Sequence, residues 1–160
     1  MARVYIALGS NMGDRLAALS TAAGRLRDLA RRLEASSVYE TSPVGGPPGQ
    51  DRYLNCVIAL DTRASLRQLL SFGQRLEEEA GRVRTVRNGP RPLDVDILYS
   101  DSEVVDEPDL VVPHPRLYER PFVLAPLEEI APELVPPGWR QRLAGSGDED
   151  LRLVGKLQLS

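Results

Sequence analysis

The order in which the hydrophobic period changes along this chain limits its fold more than any other feature. Arg3 to Gly9 (RVYIALG) is β-branched and aromatic, ends at Gly and is expected to be a strand. Leu16, Leu19, Ala23, Leu26, Leu29 and Leu33 then recur at spacings of three and four, the apolar stripe of one helix, with Asn11 or Asp14 placed to cap it. Ala35 to Thr41 and Arg52 to Asp61 return to strand character on either side of the Pro- and Gly-rich loop SPVGGPPGQD. A second helix carries Leu66, Leu69, Leu70, Leu76 and Ala80 on one face, opened by a Ser65 to Gln68 capping box and closed by Gly81. LDVDILYS, Leu93 to Ser100, reads as a fourth strand. Strand, helix, strand, strand, helix, strand is the ferredoxin-like βαββαβ order, which predicts an α+β sandwich: an antiparallel sheet with helices packed on it.

After Ser100 the pattern weakens. SEVVDEPDLVVPHP fits short edge strands broken by Pro, and PFVLAPLEEIAP fits a short helix with Pro121 in its first turn. The tail after Gly145 is polar and then alternates Leu with polar residues, without a role that its pattern assigns. With 160 residues, 42% of them hydrophobic, and no linker or repeat, one domain over residues 1–160 is expected.

Charge and composition exclude several classes of function. A net charge of −3 gives no overall positive field for nucleic acid or an anionic membrane, so any anion site must be local. No apolar run has the length of a bilayer span and MARVYIALGSN lacks the parts of a signal peptide, so a cytoplasmic protein is expected. Cys56 and His114 are the sole residues of their types, which leaves oxygen ligands for any metal. Cys56 alternates inward among apolar neighbours, and Trp139 reads as a packing anchor. Of the 20 basic residues Lys156 is the one Lys and the others are Arg, a bias attributed mainly to the genome.

Asp94 and Asp96 are the anomaly in the fourth strand. Residues two apart share a face, so these acids point one way while Leu93, Val95 and Ile97 point into a core. Asp is depleted in strands, and a buried carboxylate needs compensation. The plainer reading is a pair of surface acids on an edge strand, bridged to nearby arginines at little energetic gain. Yet Arg82, Arg84, Arg87 and Arg91 stand just upstream, and oxygen ligands beside guanidinium forks suit Mg²⁺ and phosphate together. The Walker pattern and the G-x-G-x-x-G of dinucleotide folds are both absent, so side chains must do the phosphate binding.

RNGPRPLDVDIL resembles the signature of the 6-hydroxymethyl-7,8-dihydropterin pyrophosphokinases: a basic residue, any residue, Gly-Pro-Arg, two residues, then Asp-x-Asp and aliphatics. The resemblance extends over YIALGSN, YETSPVG, YLNCVIAL, GQRLEEEAGRVR and VPHPRLYERPFVLAPLEEIAPEL, in order, to about Leu134. It implies the same ferredoxin-like sandwich and transfer of a diphosphate from ATP to the pterin's hydroxymethyl group, by attack on the β-phosphorus with release of AMP. It also implies two Mg²⁺ ions held by Asp94 and Asp96. Arg82, Arg84 and Arg91 match residues that contact or close over the triphosphate, Arg82 and Arg91 with catalytic weight. Gln74, Glu77 and Ile97 match the adenosine side, and His114 and Arg120 match phosphate contacts at the leaving end of ATP. Tyr53 and Phe122 match the pair that sandwich the pterin, Asn55 its edge-reading amide, and Thr41, Pro43 and Val44 the loop lining the pocket, with Asp94 also facing the substrate. The implied partners are these two small molecules, acting on a monomer, with no nucleic acid or membrane.

Each of these residues has a plainer structural reading. Tyr53 and Asn55 alternate on a strand and could cap its edge, Phe122 could be core, and His114 between two prolines could be a loop residue. Gly9 to Asn11 is read as a strand-to-helix turn, with Gly for backbone freedom and Asn as cap. There are also departures from the family pattern. Asn88 stands where many members have Trp, the segment between Arg84 and Arg91 is a residue shorter than in some, which leaves the role of Arg87 unassigned, and Asp109 lies about where some members offer a basic phosphate contact, which an acid does not supply. The loops Thr41 to Asp51 and Arg82 to Pro92 have the Gly, Pro and Arg content of segments that order over a nucleotide. Two rivals stay in view. A ferredoxin-like RNA-binding module would need exposed aromatics and a basic face, whereas aromatics are 5% and the charge is negative. A kinase transferring one phosphoryl group would yield ADP in place of AMP.

Overall fold

The computed structural model describes residues 1–41, 51–81, 92–144, 151–157 and 159. Its chain order is β1 (Ala2–Ser10), α1 (Arg15–Arg27), β2 (Ala30–Ala35), β3 (Val38–Thr41), β4 (Tyr53–Thr62), α2 (Leu66–Glu79) and β5 (Asp94–Ser100). The hairpin β6 (Val105–Glu107) and β7 (Leu110–Val112), α3 (Pro121–Ile130), the short α4 (Trp139–Arg142) and β8 (Arg152–Gly155) follow. The main sheet runs β5-β1-β4-β3-β8, with β2 also on β4, and its recorded pairings are antiparallel. That is the expected α+β sandwich.

Period-2 alternation sorts β1 and β4 onto two faces. Val4, Ile6 and Leu8 of β1 with Leu54, Cys56, Ile58 and Leu60 of β4 form one core with Leu19, Ala23 and Leu26 of α1 and Leu66, Leu69 and Leu76 of α2. Tyr5, Val57, Ala59 and Leu98 look the other way, where Val123, Leu124 and Leu127 of α3 and Trp139 cover them. Trp139 is a packing anchor as expected, and its indole N–H donates to Glu128 at 3.0 Å. Cys56 packs as a small hydrophobe, and burial pushes its thiol up to about 12.

The helix ends follow local chemistry. Asp14, one of the two expected caps, accepts from the amide of Ala17, and the Ser65 to Gln68 capping box forms in both directions. Gly81 follows α2 with φ +91°, the left-handed turn that Gly adopts cheaply. Pro121 opens α3, where its missing N–H costs nothing.

Two expectations need correction. The leucine stripe does not continue as a helix to Leu33: α1 stops at Arg27 and Ala30–Ala35 is β2. β3 pairs only with the Tyr53–Asn55 end of β4, so the outward backbone groups of Ile58–Thr62 need another strand, and β2 supplies it. The tail also has a place. β8 pairs with β3, and Arg152 bridges Glu40, which Arg15 and Arg52 also contact.

Candidate active site

The site is built at the end of the sheet where β1 finishes and β5 starts. Pairing sets Asp94 opposite Gly9 and Asp96 opposite Ala7, while Gly9 also faces Asn55 and Asn55 faces Tyr39. Cross-strand partners share a face. Asp94, Asp96, Asn55 and Tyr39 therefore stand on the α3 side, with Tyr53 and Thr41, themselves paired, one step further along. Leu93, Val95 and Ile97 pack on the other side, as the alternation requires. Asp94 and Asp96 are half-buried and each has partners in the fold.

Small residues make the floor. Ala7 and Gly9 are the β1 residues opposite the two aspartates, and at Gly9 even a Cβ would come within 3.0 Å of the Asn55 amide oxygen. Gly9 and Ser10 belong to β1, so the expected turn at Gly9 to Asn11 is corrected: Gly9 is needed for close approach, and the cap comes from Asp14. Asn11 is buried instead, its amide donating to the carbonyl of Asp51 at 3.3 Å. The alternation of small Ala7 and Gly9 with large Ile6 and Leu8 was the sequence signal for this floor.

Asn55 is 7% exposed, and its amide nitrogen donates to the Thr41 hydroxyl at 3.0 Å. That contact fixes which end of the amide faces Gly9. Tyr53 is half-buried at the start of β4, and Phe122, half-buried in the first turn of α3, packs against the α3-side core with the Arg120 guanidinium 5.7 Å from its ring centre.

Cations close the site from the α3 end. Burial pulls the Arg120 guanidinium below the ordinary arginine range; Asp96 opposes that fall, Arg116 adds to it, and Asp94 opposes it again. Arg120 thus lies within electrostatic reach of both acids. The backbone amide of His114 donates to the Leu98 carbonyl at 2.8 Å, so the segment after β7 is tied to β5. His114 Nδ1 accepts from the Arg116 amide at 3.1 Å, which leaves Nε2 to carry the proton of the neutral ring. Burial first, then Arg120 and Arg116, hold the imidazole below its ordinary range. Arg116 was not singled out from sequence; its position two residues after His114 in HPRLYER was the available signal.

The nucleotide-side residues lie across the β5 edge. Gln74 is exposed on α2, Ile97 is buried in the core with the helices, and Glu77 is buried with a carboxylate oxygen 2.9 Å from the amide of Val95. Asp109 is engaged by Arg67 at 2.7 Å. Pro43, Val44, Arg82, Arg84, Arg87, Asn88 and Arg91, with nearly all of both expected closing loops, lie outside the described residues. Among the described residues no group of three or more His, Cys, Asp or Glu is arranged to hold a metal ion alone. A pair of carboxylates is nonetheless the donor set by which Mg²⁺ is bound when substrate phosphates complete its shell.

An antiparallel sandwich with two acids on one strand face and the Arg120 cation near them suits a transferase acting on phosphates. Known proteins specify it further. The model of the family described as 7,8-dihydro-6-hydroxymethylpterin-pyrophosphokinase (HPPK) matches residues 5–132. The 2-amino-4-hydroxy-6-hydroxymethyldihydropteridine pyrophosphokinase of Bacillus subtilis is 46% identical over 81% of this chain and 78% of its own length. Its namesake from Pseudomonas aeruginosa is 42% identical over 86% of each. A crystal structure of an HPPK-DHPS in complex with substrates superposes with a TM-score of 0.62 at 12% identity, covering 91% of this chain and 43% of that one, which bears on the fold alone. The chain belongs to the HPPK family and is an ATP-dependent pyrophosphokinase of folate biosynthesis. Among the described residues no helix is long and apolar enough to cross a membrane.

Proposed function

We propose that this chain transfers the diphosphate of ATP to the hydroxymethyl group of 6-hydroxymethyl-7,8-dihydropterin, acting as a single-domain monomer in the cytosol. The hydroxymethyl oxygen bonds to the β-phosphorus as the bond from that phosphorus to the α,β-bridging oxygen breaks. AMP leaves with the bridging oxygen, and the hydroxyl proton passes to water. The observation that carries this reading is the placement of Asp94 and Asp96 on one face, across the small floor from Asn55 and within electrostatic reach of Arg120.

Asp94 and Asp96 would hold two Mg²⁺ ions, which supply positive charge against the phosphate oxygens. The other groups position and neutralise. Arg120 and the Nε2–H of His114 would contact the phosphates at the leaving end, and Arg82, Arg84 and Arg91 would bind the triphosphate, Arg82 and Arg91 as catalytic groups. Gln74, Glu77 and the strand at Ile97 border the adenosine. Tyr53 and Phe122 take the two faces of the pterin, while Asn55, held by Thr41, reads its edge with a donor and an acceptor, and Pro43 and Val44 line the adjoining loop.

Incubation with ATP, Mg²⁺ and the reduced pterin alcohol, followed by chromatography of the nucleotides, tests the reaction. AMP and a pterin diphosphate are expected in equal amounts. ADP with a pterin monophosphate would show the single-phosphoryl kinase instead.

A further inference from the structure

We infer that Glu77 is a positioning residue for Asp94 and Asp96, acting through the main chain of Val95 that joins them. This rests on the proposed function, in which the two acids hold divalent ions.

β5 is an edge strand with β1 as its sheet neighbour, so its outward backbone groups need partners from elsewhere. At Val95 the partner is Glu77, whose Oε2 accepts the amide at 2.9 Å. Three residues later the Leu98 carbonyl is met by the amide of His114. The Val95 bond matters more for the chemistry, because the two peptide planes flanking that residue orient the Cα–Cβ bonds of Asp94 and Asp96.

The same helix grips Val95 a second way. One turn before Glu77, Gly73 lies so close that a Cβ there would stand 2.9 Å from Val95 Cγ1. One polar and one steric contact thus fix α2 against this residue, from the side opposite the aspartates. Glu77 is also an expensive choice for the position. It falls in the buried stripe of α2 with Leu66, Leu69, Gly73 and Leu76, where an apolar side chain would avoid the desolvation of a carboxylate. What an apolar residue cannot do is accept the amide, and a carboxylate does so more strongly than a neutral group. Mutating residues that orient metal ligands typically costs about 10- to 100-fold in metal affinity.

The test uses the ¹⁵N-labelled full chain without nucleotide, which separates this role from any contact with adenosine. Two quantities are read: paramagnetic broadening of the residue 93–97 amides by added Mn²⁺, and the hydrogen-exchange rate of the Val95 amide. Glu77→Ala should need about tenfold more Mn²⁺ for the same broadening and should exchange faster at Val95. Glu77→Gln, which still offers an acceptor, should restore both. Gly73→Ala should weaken Mn²⁺ binding without touching the carboxylate, and it decides the matter if Glu77→Ala does not fold. An unchanged Mn²⁺ titration in Glu77→Ala or Gly73→Ala, or a loss in Glu77→Gln equal to that in Glu77→Ala, overturns the inference. Asp94→Ala is the reference. If it too binds Mn²⁺ like the parent chain, the proposed function has failed, not merely the role of Glu77.

Discussion

His114 sits between two influences of the same sign. Burial and the neighbouring arginines both disfavour its cation, so its pKa lies below the ordinary value of about 6.5. A histidine held neutral in the fold binds its proton less readily than in the unfolded chain, so its contribution to stability is full above about pH 6.5 and is lost as pH falls below it. NMR titration of the ring should give a midpoint under 6.5, and tripolyphosphate should raise it by screening the arginines. At the aspartates, Asp94→Ala and Asp96→Ala should each keep the far-UV circular dichroism of the parent while lowering kcat by about 100-fold or more, the scale expected for a lost metal ligand. The amide network is subtler. Thr41→Val removes the acceptor that orients Asn55, and we expect pterin affinity to fall by about 1 kcal/mol, roughly fivefold, with ATP affinity unchanged by calorimetry. An equal loss for both ligands would place Asn55 outside the pterin pocket.

At the scale of elements, local chemistry decided some ends and tertiary demand decided others. Ser65→Ala removes the hydroxyl that accepts from the Gln68 amide, leaving the backbone amide of residue 65 on the Gln68 side chain, and should cost about 1 kcal/mol by chemical denaturation, with the slope unchanged. The boundaries of α2 and α3 were legible because Ser65, Gly81 and Pro121 act on their own immediate neighbours. β2 was not legible. ARRLEA is composed of good helix formers and continues the leucine spacing of α1, and it becomes a strand because β4 outruns β3 and would leave buried backbone unpaired. β8 escaped for the same reason. Its partner is β3, more than a hundred residues earlier, and the charge that rewards the pairing is the Glu40 carboxylate, held below its ordinary range by Arg15 and Arg152 against the opposing effect of burial.

For the whole molecule, the main consequence is a sheet covered on both faces. α1 and α2 take one side, α3 and Trp139 the other, and Asp94, Asp96 and Asn55 stand on the second side at one end of the sheet. Trp139 is the chain's one tryptophan and is 2% exposed, so its emission should be blue-shifted when folded and should report loss of the α3 layer. Coincident denaturation curves from this fluorescence and from far-UV circular dichroism are expected if both layers melt together; an earlier fluorescence transition would show the α3 layer releasing first. Local spacing was enough to dictate the alternation of β1, β4 and β5, the caps of α2, and the shared face of Asp94 and Asp96, because each depends on a few neighbouring residues. What surrounds that strand was settled by the fold: Gly9 opposite Asp94, Asn55 beyond Gly9, Arg120 within electrostatic reach of both acids and Glu77 on the Val95 amide come from four separate stretches of chain, and they are brought together by strand register and layer packing, which no local period encodes.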